Sequence, residues 1–298
     1  MNGYLEELLR REKIAFKNGE DLSKKSYIRI GVTADTLYPK DKNELILLLT
    51  LLSDLKIEYR ILGAMSNILI CESSEKYLFI STELLRGVSI ESNKLCAMAG
   101  IRFSHLIKYA SENGYSLLPE LFGIPGSVGG MVYSNAGAYG VQISDAFLYA
   151  DIFDVKAKVL RRVFRDEMDF GYRKSILQAE NYVLVSAVFE IFPADVSSVF
   201  QKISDITKQR KEKQPTECKS LGSIFKRPPN DYAARLIDAS GLKGARVGDA
   251  AVSEKHAGFI VNLGNATASD VVALIEKIKE TVRSRYGVNL SEEIEILR

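Results

Sequence analysis

A glycine-rich stretch between Phe122 and Gly140 is the strongest chemical signal in the sequence. Six of the chain's 21 glycines fall within it, interleaved with Ser127 and Asn135. Glycine lets the backbone approach a ligand closely, so that several N–H groups can converge on an anion. Residues 128–133 are expected to begin a helix, whose N-terminus would favour a phosphate. The pattern predicts a cofactor loop, against the alternative of a tight connection without a ligand.

Neither of the two common phosphate-binding fingerprints fits this stretch. It lacks the spacing G-x-G-x-x-G and does not end in G-K-[ST], which disfavours a Rossmann dinucleotide site and a P-loop. A second glycine turn, from Gly63 to Asn67, lies between two predicted strands. As a hairpin-like turn it could bind a phosphate, although any β-turn can carry such a sequence.

Three other polar segments contain side chains suited to catalysis. Arg173 lies within Gly-Tyr-Arg-Lys-Ser, Ser223 follows a glycine, and Glu293 precedes an apolar strand. Taken singly, they are better explained as a surface arginine, a turn serine and a solvated acidic residue. A serine hydrolase is not predicted, because Ser223 lacks a G-x-S-x-G elbow. His256 is interpreted as a hydrogen-bonded structural residue rather than a base.

Length and composition exclude several classes of protein. The 298 residues suggest two domains, or three compact ones. Forty Lys and Arg against 38 Asp and Glu leave a net charge of +2, too small for nucleic-acid binding. Three cysteines without short spacing and two histidines predict neither a metal site nor a disulfide framework. The charged N-terminus is unlike a signal peptide, and the longest apolar run, 45–52, is too short to cross a bilayer. We expect a cytoplasmic protein that does not bind membranes.

The elements that must position these residues follow an α+β pattern without regular βαβ alternation. Helices are predicted near the N-terminus and over 43–55, 103–113, 195–213, 231–240 and 269–286. Strands are predicted over 58–62, 67–71, 77–80, 94–98, 148–155, 158–164, 182–192 and 293–297. Residues 214–229 are expected to be irregular. The element order favours domain boundaries near residues 85 and 198.

The order of the motifs is more specific than any one of them. The segments G-I-P-G-S-V-G-G, N-A-G-A-Y-G, G-Y-R-x-S, G-S-I-F-K and S-E-K-H-A-G-F-I-V-N follow one another. From about Ile30 to its end, the chain resembles the bacterial UDP-N-acetylenolpyruvoylglucosamine reductase family, in the shorter subtype that lacks an inserted substrate-domain loop. The resemblance implies an FAD-binding module of two α+β subdomains, of the vanillyl-alcohol-oxidase-like (PCMH) kind, over 1–85 and 86–198. A third, α+β substrate-binding domain is implied over 199–298.

The resemblance also implies the cofactors and the reaction. FAD would be bound non-covalently, NADPH would reduce it, and the enolpyruvyl sugar nucleotide would then be reduced to UDP-N-acetylmuramate for peptidoglycan. The small-molecule substrate would be handled by a monomer. The residues implied to bind FAD are Gly63, Ala64, Met65, Ser66, Asn67, Gly123, Ile124, Pro125, Gly126, Ser127, Gly129, Gly130, Asn135, Gly137 and Ala138.

Three residues match the catalytic positions of that family. Flavin N5 would deliver hydride to the terminal vinyl carbon, Arg173 and Glu293 would stabilise the resulting enolate, and Ser223 would protonate the second carbon. A cation placed like Arg173 stabilises developing negative charge by electrostatic preorganisation. The residues implied to contact the substrate or its diphosphate are Tyr172, Arg210, Lys213 and Arg227.

Four positions depart from the family pattern, and they keep two other hypotheses open. Met65 and Val32 stand where glycines are usual, Arg227 replaces an asparagine, and Glu295 replaces an arginine. A left-handed backbone at Met65 would be strained. The first alternative is a flavin oxidase of the same superfamily, although the two histidines, His105 and His256, lie outside the flavin loops and disfavour covalent attachment. The second is a flavin- or nucleotide-sugar-binding paralogue without turnover.

Overall fold

The computed structural model describes residues 3–179 and 181–298, which form two compact units. The first unit comprises the described residues up to Asn18, Asp35–Ala64 and Tyr77–Lys208, and the second comprises Gly19–Ala34, Met65–Lys76 and Gln209–Arg298. Each unit has its own apolar core. The division into three contiguous domains, 1–85, 86–198 and 199–298, stays a prediction.

The helices predicted from residue 43 onward lie where the sequence places them, with ends that differ by no more than two residues. The N-terminal helix is shorter than its apolar spacing predicts, because it ends at Arg11 and Ala15 begins a strand. The helices are α1 (Gly3–Arg11), α2 (Lys42–Asp54), α3 (Phe103–Glu112), α4 (Val128–Tyr133), α5 (Val196–Lys213), α6 (Ala233–Ala239) and α7 (Ala268–Tyr286). Within the described residues, none of them is both long and apolar enough to cross a membrane.

The strands are more numerous than the sequence predicts, and several are very short. Those mainly of the first unit are β1 (Ala15–Asp21), β2 (Thr33–Tyr38), β3 (Tyr59–Leu62), β5 (Leu78–Ser81), β6 (Val88–Glu91), β7 (Lys94–Met98), β8 (Tyr115–Ser116), β9 (Gly137–Ala138), β10 (Val141–Gln142), β11 (Phe147–Asp154), β12 (Val159–Phe164), β13 (Tyr182–Glu190) and β14 (Phe192–Pro193). Those of the second unit are β4 (Ile68–Ile70), β15 (Lys219–Ser223), β16 (Arg246–Val247), β17 (Ala250–Val252), β18 (Phe259–Asn262) and β19 (Glu295–Leu297).

An antiparallel five-stranded sheet in the first unit supports the glycine-rich stretch. Its strand order is β12-β11-β13-β7-β6. Phe189 on β13 makes edge-on ring contacts with Phe103 of α3 and Phe147 of β11, at centroid distances of 5.7 and 6.1 Å. Helix α4 lies against β13 and β7. This packing fixes the loop that precedes α4.

A smaller sheet in the first unit has the order β1-β2-β5-β3. Strands β2 and β3 both run parallel to β5, and α2 connects them with four of its leucines buried. The chain thus contains one local β-α-β connection within an α+β fold. The α+β class is confirmed, since parallel and antiparallel sheets occur with helices packed on them.

In the second unit an antiparallel sheet of order β15-β18-β17-β16 packs with α6 and α7 around one core. Strand β19 pairs in parallel with β4. The prediction that 214–229 is irregular is wrong, because β15 lies within that range and pairs with β18. The hairpin-like turn at Gly63 is also wrong, because β3 and β4 belong to different sheets.

Thr36 on β2 tests how a buried polar group without a hydrogen bond affects the stability of the fold. Its side chain is fully buried, and its hydroxyl has no hydrogen-bond partner within the described part of the chain. A buried unpaired hydroxyl is destabilising, whereas a methyl of similar shape is not. We expect Thr36→Val to raise the free energy of unfolding by about 1 kcal/mol, measured by denaturant titration.

The matched control for Thr36 is the buried Thr82, whose hydroxyl donates to the carbonyl of Leu62 at 3.2 Å. Thr82→Val removes a made hydrogen bond and leaves that carbonyl without its donor. It is expected to lower the free energy of unfolding by about 1 kcal/mol. Changes of the same sign in the two variants would contradict the assignment.

Candidate active site

Two glycine-containing turns of the first unit, at Gly63 and at Ser127, approach each other backbone to side chain. A Cβ atom at position 63 would lie 2.6 Å from Ser127 Oγ. Ser127 is buried and caps α4, since its Oγ accepts a hydrogen bond from the Gly130 amide at 3.3 Å. The two turns can therefore meet this closely only because residue 63 has no side chain.

The amides that remain available to an anion lie just before α4. Val128 N and Gly129 N donate to the carbonyls of Ile101 and Ala99, each at 2.8 Å, and the Gly130 amide donates to Ser127. Within the described residues, the amides of Gly126 and Ser127 donate no hydrogen bond. The helix forms as predicted over Val128–Tyr133, but its first three amides already donate to other groups of the protein. The candidates for binding a phosphate are therefore the amides of Gly126 and Ser127, just before the helix.

Gly63→Ala tests whether this close approach matters. The added methyl forces Ser127 Oγ away from the Gly130 amide, so we expect a loss of about 1–2 kcal/mol in unfolding free energy, together with weaker flavin retention. In Ser127→Ala the hydroxyl is absent, and the nearest remaining Ser127 atom, Cβ, lies 3.8 Å from the added methyl. The double variant is therefore expected to be no less stable than Ser127→Ala alone, as measured by thermal unfolding. Additive losses would contradict this contact.

Met65 begins the part of the Gly63–Asn67 turn that lies in the second unit. Its φ of 53° is left-handed, which is the strained conformation anticipated for a residue that replaces glycine. The Tyr27 amide donates to the Met65 carbonyl at 3.2 Å. Val32, the other departure from glycine, is not among the residues with positive φ. Its neighbour Gly31 is the constrained one, because a Cβ there would lie 2.7 Å from Ser23 N.

Arg173 occupies a tight turn in the first unit. Gly171 and Lys174 exchange backbone hydrogen bonds of 3.1 and 3.2 Å around it, and Arg173 has a φ of 55°. Its Nη2 donates to the carbonyl of Gly137 at 3.2 Å. The Tyr172 ring, which is 55% exposed, lies with its centroid 5.2 Å from the guanidinium carbon. The structure thus brings Arg173 to the β9–β10 hairpin of the glycine-rich stretch.

Ser223 and Glu293 come together in the second unit, although 70 positions separate them in sequence. Ser223 ends β15, and the next residue, Ile224, accepts a hydrogen bond from the Glu293 amide at 2.7 Å. Ser223 is exposed, and within the described residues its hydroxyl makes no hydrogen bond. Asn67 joins this group, because its Nδ2 donates to the Glu293 carbonyl at 3.1 Å.

Lys279, on α7, fixes the residue before Glu293. Its Nζ donates to carboxylate oxygens of Glu292 and Glu276, both at 3.0 Å. These hydrogen bonds, that to Glu292 first, raise the pKa of Lys279. Sequence reasoning missed this contact, since nothing in a helical lysine identifies its partner. Lys279 helps to hold the Glu292–Glu293 segment against β15.

The four residues expected to contact substrate belong to different segments of the chain. Tyr172 lies beside Arg173 in the first unit, whereas Arg210 and Lys213 are in the last turn of α5. Arg227 is exposed, and its guanidinium carbon lies 4.4 Å from the Tyr232 ring centroid. Lys255 Nζ donates to the carbonyl of Lys211, in the last turn of α5, at 2.7 Å.

His256 has the structural role inferred from the sequence. Its Nδ1 accepts a hydrogen bond from the Gly258 amide at 3.1 Å, which requires an unprotonated nitrogen. Its ring packs edge-on against Phe259 at 4.9 Å. Burial lowers the pKa of His256.

The shift at His256 predicts a pH dependence of stability. Below a pH of about 6.5 the unfolded chain takes up the proton more readily than the folded one. The free energy of unfolding should therefore decrease as the pH is lowered, by less than about 1.4 kcal/mol per pH unit. We expect this slope to be shallower in His256→Gln. Identical slopes in the wild type and His256→Gln, measured by chemical unfolding between acid and neutral pH, would contradict the prediction.

Comparison with known proteins agrees with this geometry. An FAD-binding domain model matches residues 34–162, and a model of the UDP-N-acetylenolpyruvoylglucosamine reductase C-terminal domain matches residues 214–297. Together with the apposed glycine turns, these matches define a flavoprotein oxidoreductase.

Full-length relatives identify the family. The chain is 40% identical to UDP-N-acetylenolpyruvoylglucosamine reductase of Caldicellulosiruptor bescii over 292 residues, covering 97% of this chain and 93% of that protein. It is 39% identical to the reductase of Petrotoga mobilis over 287 residues, covering 94% of each. The crystal structure of the reductase (MurB) from Thermus caldophilus superimposes with a TM-score of 0.81 at 30% identity, covering 96% of this chain and 99% of that one. The chain belongs to the UDP-N-acetylenolpyruvoylglucosamine reductase family.

Proposed function

We propose that this protein uses NADPH and FAD to reduce the enolpyruvyl group of UDP-N-acetylglucosamine enolpyruvate, giving UDP-N-acetylmuramate for peptidoglycan. The observation that carries the proposal is the placement of Ser223. Its exposed hydroxyl, without a hydrogen-bond partner among the described residues, lies on a strand end that is bonded to the main chain of Glu293. A hydroxyl kept available beside a carboxylate-bearing segment suits proton delivery to a reacting carbon.

The residues present fit FAD. A pyrophosphate is bound best by backbone amides, and those of Gly126 and Ser127 make no hydrogen bond in the described chain. The missing Cβ of Gly63 lets Ser127 approach closely, which places the two glycine-containing turns side by side. We assign the diphosphate to these residues and to Ala64, Met65, Ser66, Asn67, Gly123, Ile124, Pro125, Gly129 and Gly130. When bound, FAD would accept a hydride from NADPH and supply it to the substrate.

The chain's own residues supply the remaining requirements of the reaction. Reduction of a carbon–carbon double bond needs a hydride at one carbon and a proton at the other. Ser223 Oγ supplies the proton to the carbon that bears the carboxylate. Arg173 and Glu293 stabilise the negative charge that develops there.

Cationic and aromatic side chains are assigned to substrate binding. Arg210, Lys213 and Arg227 supply charge to the diphosphate of the sugar nucleotide, and the exposed Tyr172 supplies an apolar ring beside Arg173. The Tyr232 ring under Arg227 limits the orientations of that guanidinium. Arg227 therefore offers an oriented positive charge where the family more often has an amide.

The decisive experiment follows the flavin spectrum of the purified protein without oxygen. NADPH should bleach the flavin absorbance, and the enolpyruvyl substrate should then restore it, with UDP-N-acetylmuramate detected by mass spectrometry. NADH is the matched comparison for the reductant. Bleaching without reoxidation by substrate would overturn the reductase assignment in favour of a flavin-binding paralogue. Rapid reoxidation by oxygen with release of hydrogen peroxide would instead indicate an oxidase.

A further inference from the structure

We propose that Asn135 is a positioning residue that holds the turn carrying Arg173. The inference rests on the proposed function, because it assigns Arg173 a part in reducing the substrate. Asn135 would act through main-chain and side-chain geometry, without touching the substrate.

The side chain of Asn135 is committed to contacts within the first unit. It is 1% exposed. Its Nδ2 donates to the Gly171 carbonyl at 3.1 Å and to Gln142 Oε1 at 3.2 Å, while its Oδ1 accepts from the Ser144 amide at 3.0 Å. Both amide protons and one acceptor position are therefore used. The two side-chain amide hydrogens of Asn135 are therefore not available to a flavin.

These bonds join the two segments that define the place of the Arg173 guanidinium. Gly171 opens the Arg173 turn, and Gly137, whose carbonyl accepts from Arg173 Nη2 at 3.2 Å, follows Asn135 by two residues. The side-chain amide of Asn135 thus fixes the backbone turn of Arg173 relative to the Gly137 carbonyl, which accepts a hydrogen bond from the guanidinium. Loss of the bond to Gly171 would free one end of this arrangement.

Backbone strain explains why the turn needs such a tether. Arg173 and Asn135 both have left-handed conformations, with φ of 55° and 41°. Such a conformation costs about 1–2 kcal/mol for an arginine and less for an asparagine. It persists only where surrounding contacts over-determine it. Ser175 supplies a second tether, because its Oγ donates to the Tyr133 carbonyl at 2.8 Å.

Asn135→Asp separates the relevant bond from the others. Aspartate has the same shape and tolerates the left-handed region, and it can still accept from Ser144, but when ionised it cannot donate to Gly171. In rapid-mixing experiments we expect reoxidation of the reduced flavin by the enolpyruvyl substrate to slow about 10- to 100-fold. Flavin reduction by NADPH, per bound flavin, is expected to stay within about twofold of wild type. Gln142→Ala, which removes the other acceptor but leaves the Gly171 bond, is the matched control and should leave both rates within about twofold.

A double-variant cycle with Arg173→Ala tests whether Asn135 acts through the arginine. If it does, Asn135→Asp/Arg173→Ala is no slower in the second half-reaction than Arg173→Ala alone. Suppose instead that Arg173→Ala slows reoxidation and that adding Asn135→Asp slows it further, by the same factor as Asn135→Asp does alone. The positioning role is then wrong and the proposed function stands. If Arg173→Ala has no effect on reoxidation, the positioning role of Asn135 and the role assigned to Arg173 are both overturned, whereas reoxidation by the substrate still supports the proposed function. Equal slowing of both half-reactions by Asn135→Asp would indicate a merely structural role and overturn the inference.

Ser175→Ala provides the test should Asn135→Asp fail to yield folded, flavin-loaded protein. It removes the second tether of the same turn and leaves Asn135 intact. We expect a smaller slowing, about 3- to 10-fold, again confined to reoxidation and again absent in the Arg173→Ala background. Unchanged reoxidation in Ser175→Ala would overturn the idea that these tethers position Arg173.

Discussion

Ser223→Ala is expected to leave flavin reduction by NADPH within about twofold of wild type while slowing reoxidation by the enolpyruvyl substrate about 100- to 10,000-fold. The reason is that only the second half-reaction needs a proton at carbon. Removing an exposed hydroxyl that has no partner in the described chain disturbs no hydrogen bond of the fold. Rapid mixing without oxygen separates the two rates, and stability should be unchanged.

Ser220→Ala is the control for Ser223, because Ser220 lies on the same strand and pairs with Val261 of β18. It should leave both half-reactions at wild-type rates. A comparable loss in Ser220→Ala would show that β15 is simply sensitive to substitution. Loss of both half-reactions in Ser223→Ala would exclude a specific role in proton delivery.

How far the sequence predicts the structure depends on the distance between interacting residues. Helices were predictable, because four leucines of α2 and the apolar face of α7 repeat at helical spacing and are buried. Strand β1 was missed because its sequence, Ala-Phe-Lys-Asn-Gly-Glu-Asp, has no alternating pattern. Its strand conformation comes from pairing at the edge of a sheet, which depends on β2 and not on its own composition.

The site was predicted in its residue types but not in its connections. Motif order selected Arg173, Ser223 and Glu293 as candidates, yet the bond from Asn135 to Gly171 spans 36 positions and leaves no local pattern. Likewise, the second unit gathers Gly19–Ala34, Met65–Lys76 and Gln209–Arg298 into one core. Such pairings are decided by tertiary packing, which periodicity along one segment does not encode.

Left-handed residues illustrate the same limit. Strain at Met65 was anticipated because a glycine is usual there, and its φ of 53° agrees. Nothing in the sequence indicated the φ of 55° at Arg173, since arginine has no preference for that region. A left-handed arginine on a tethered turn is an observation that only the structure provides.

Arg173→Ala is expected to slow reoxidation of the flavin by the substrate about 100- to 1,000-fold, comparable with the loss of one donor to a developing negative charge. Arg173→Lys keeps the charge but loses the planar group that bonds to Gly137, so we expect an intermediate loss of about 10- to 100-fold. Flavin content and thermal stability should change little, because the guanidinium is only half-buried.

The neighbouring Lys174 distinguishes a specific guanidinium from a general loss of positive charge. It lies in the same turn and forms an exposed ion pair with Asp169 at 2.7 Å, an interaction that contributes little to stability. Lys174→Ala should therefore keep both half-reactions within about twofold of wild type. If Lys174→Ala were as slow as Arg173→Ala, the effect would be one of local charge. If Arg173→Lys were as fast as wild type, the hydrogen bond to Gly137 would have no part in placing the charge, because a lysine cannot reproduce the guanidinium's geometry.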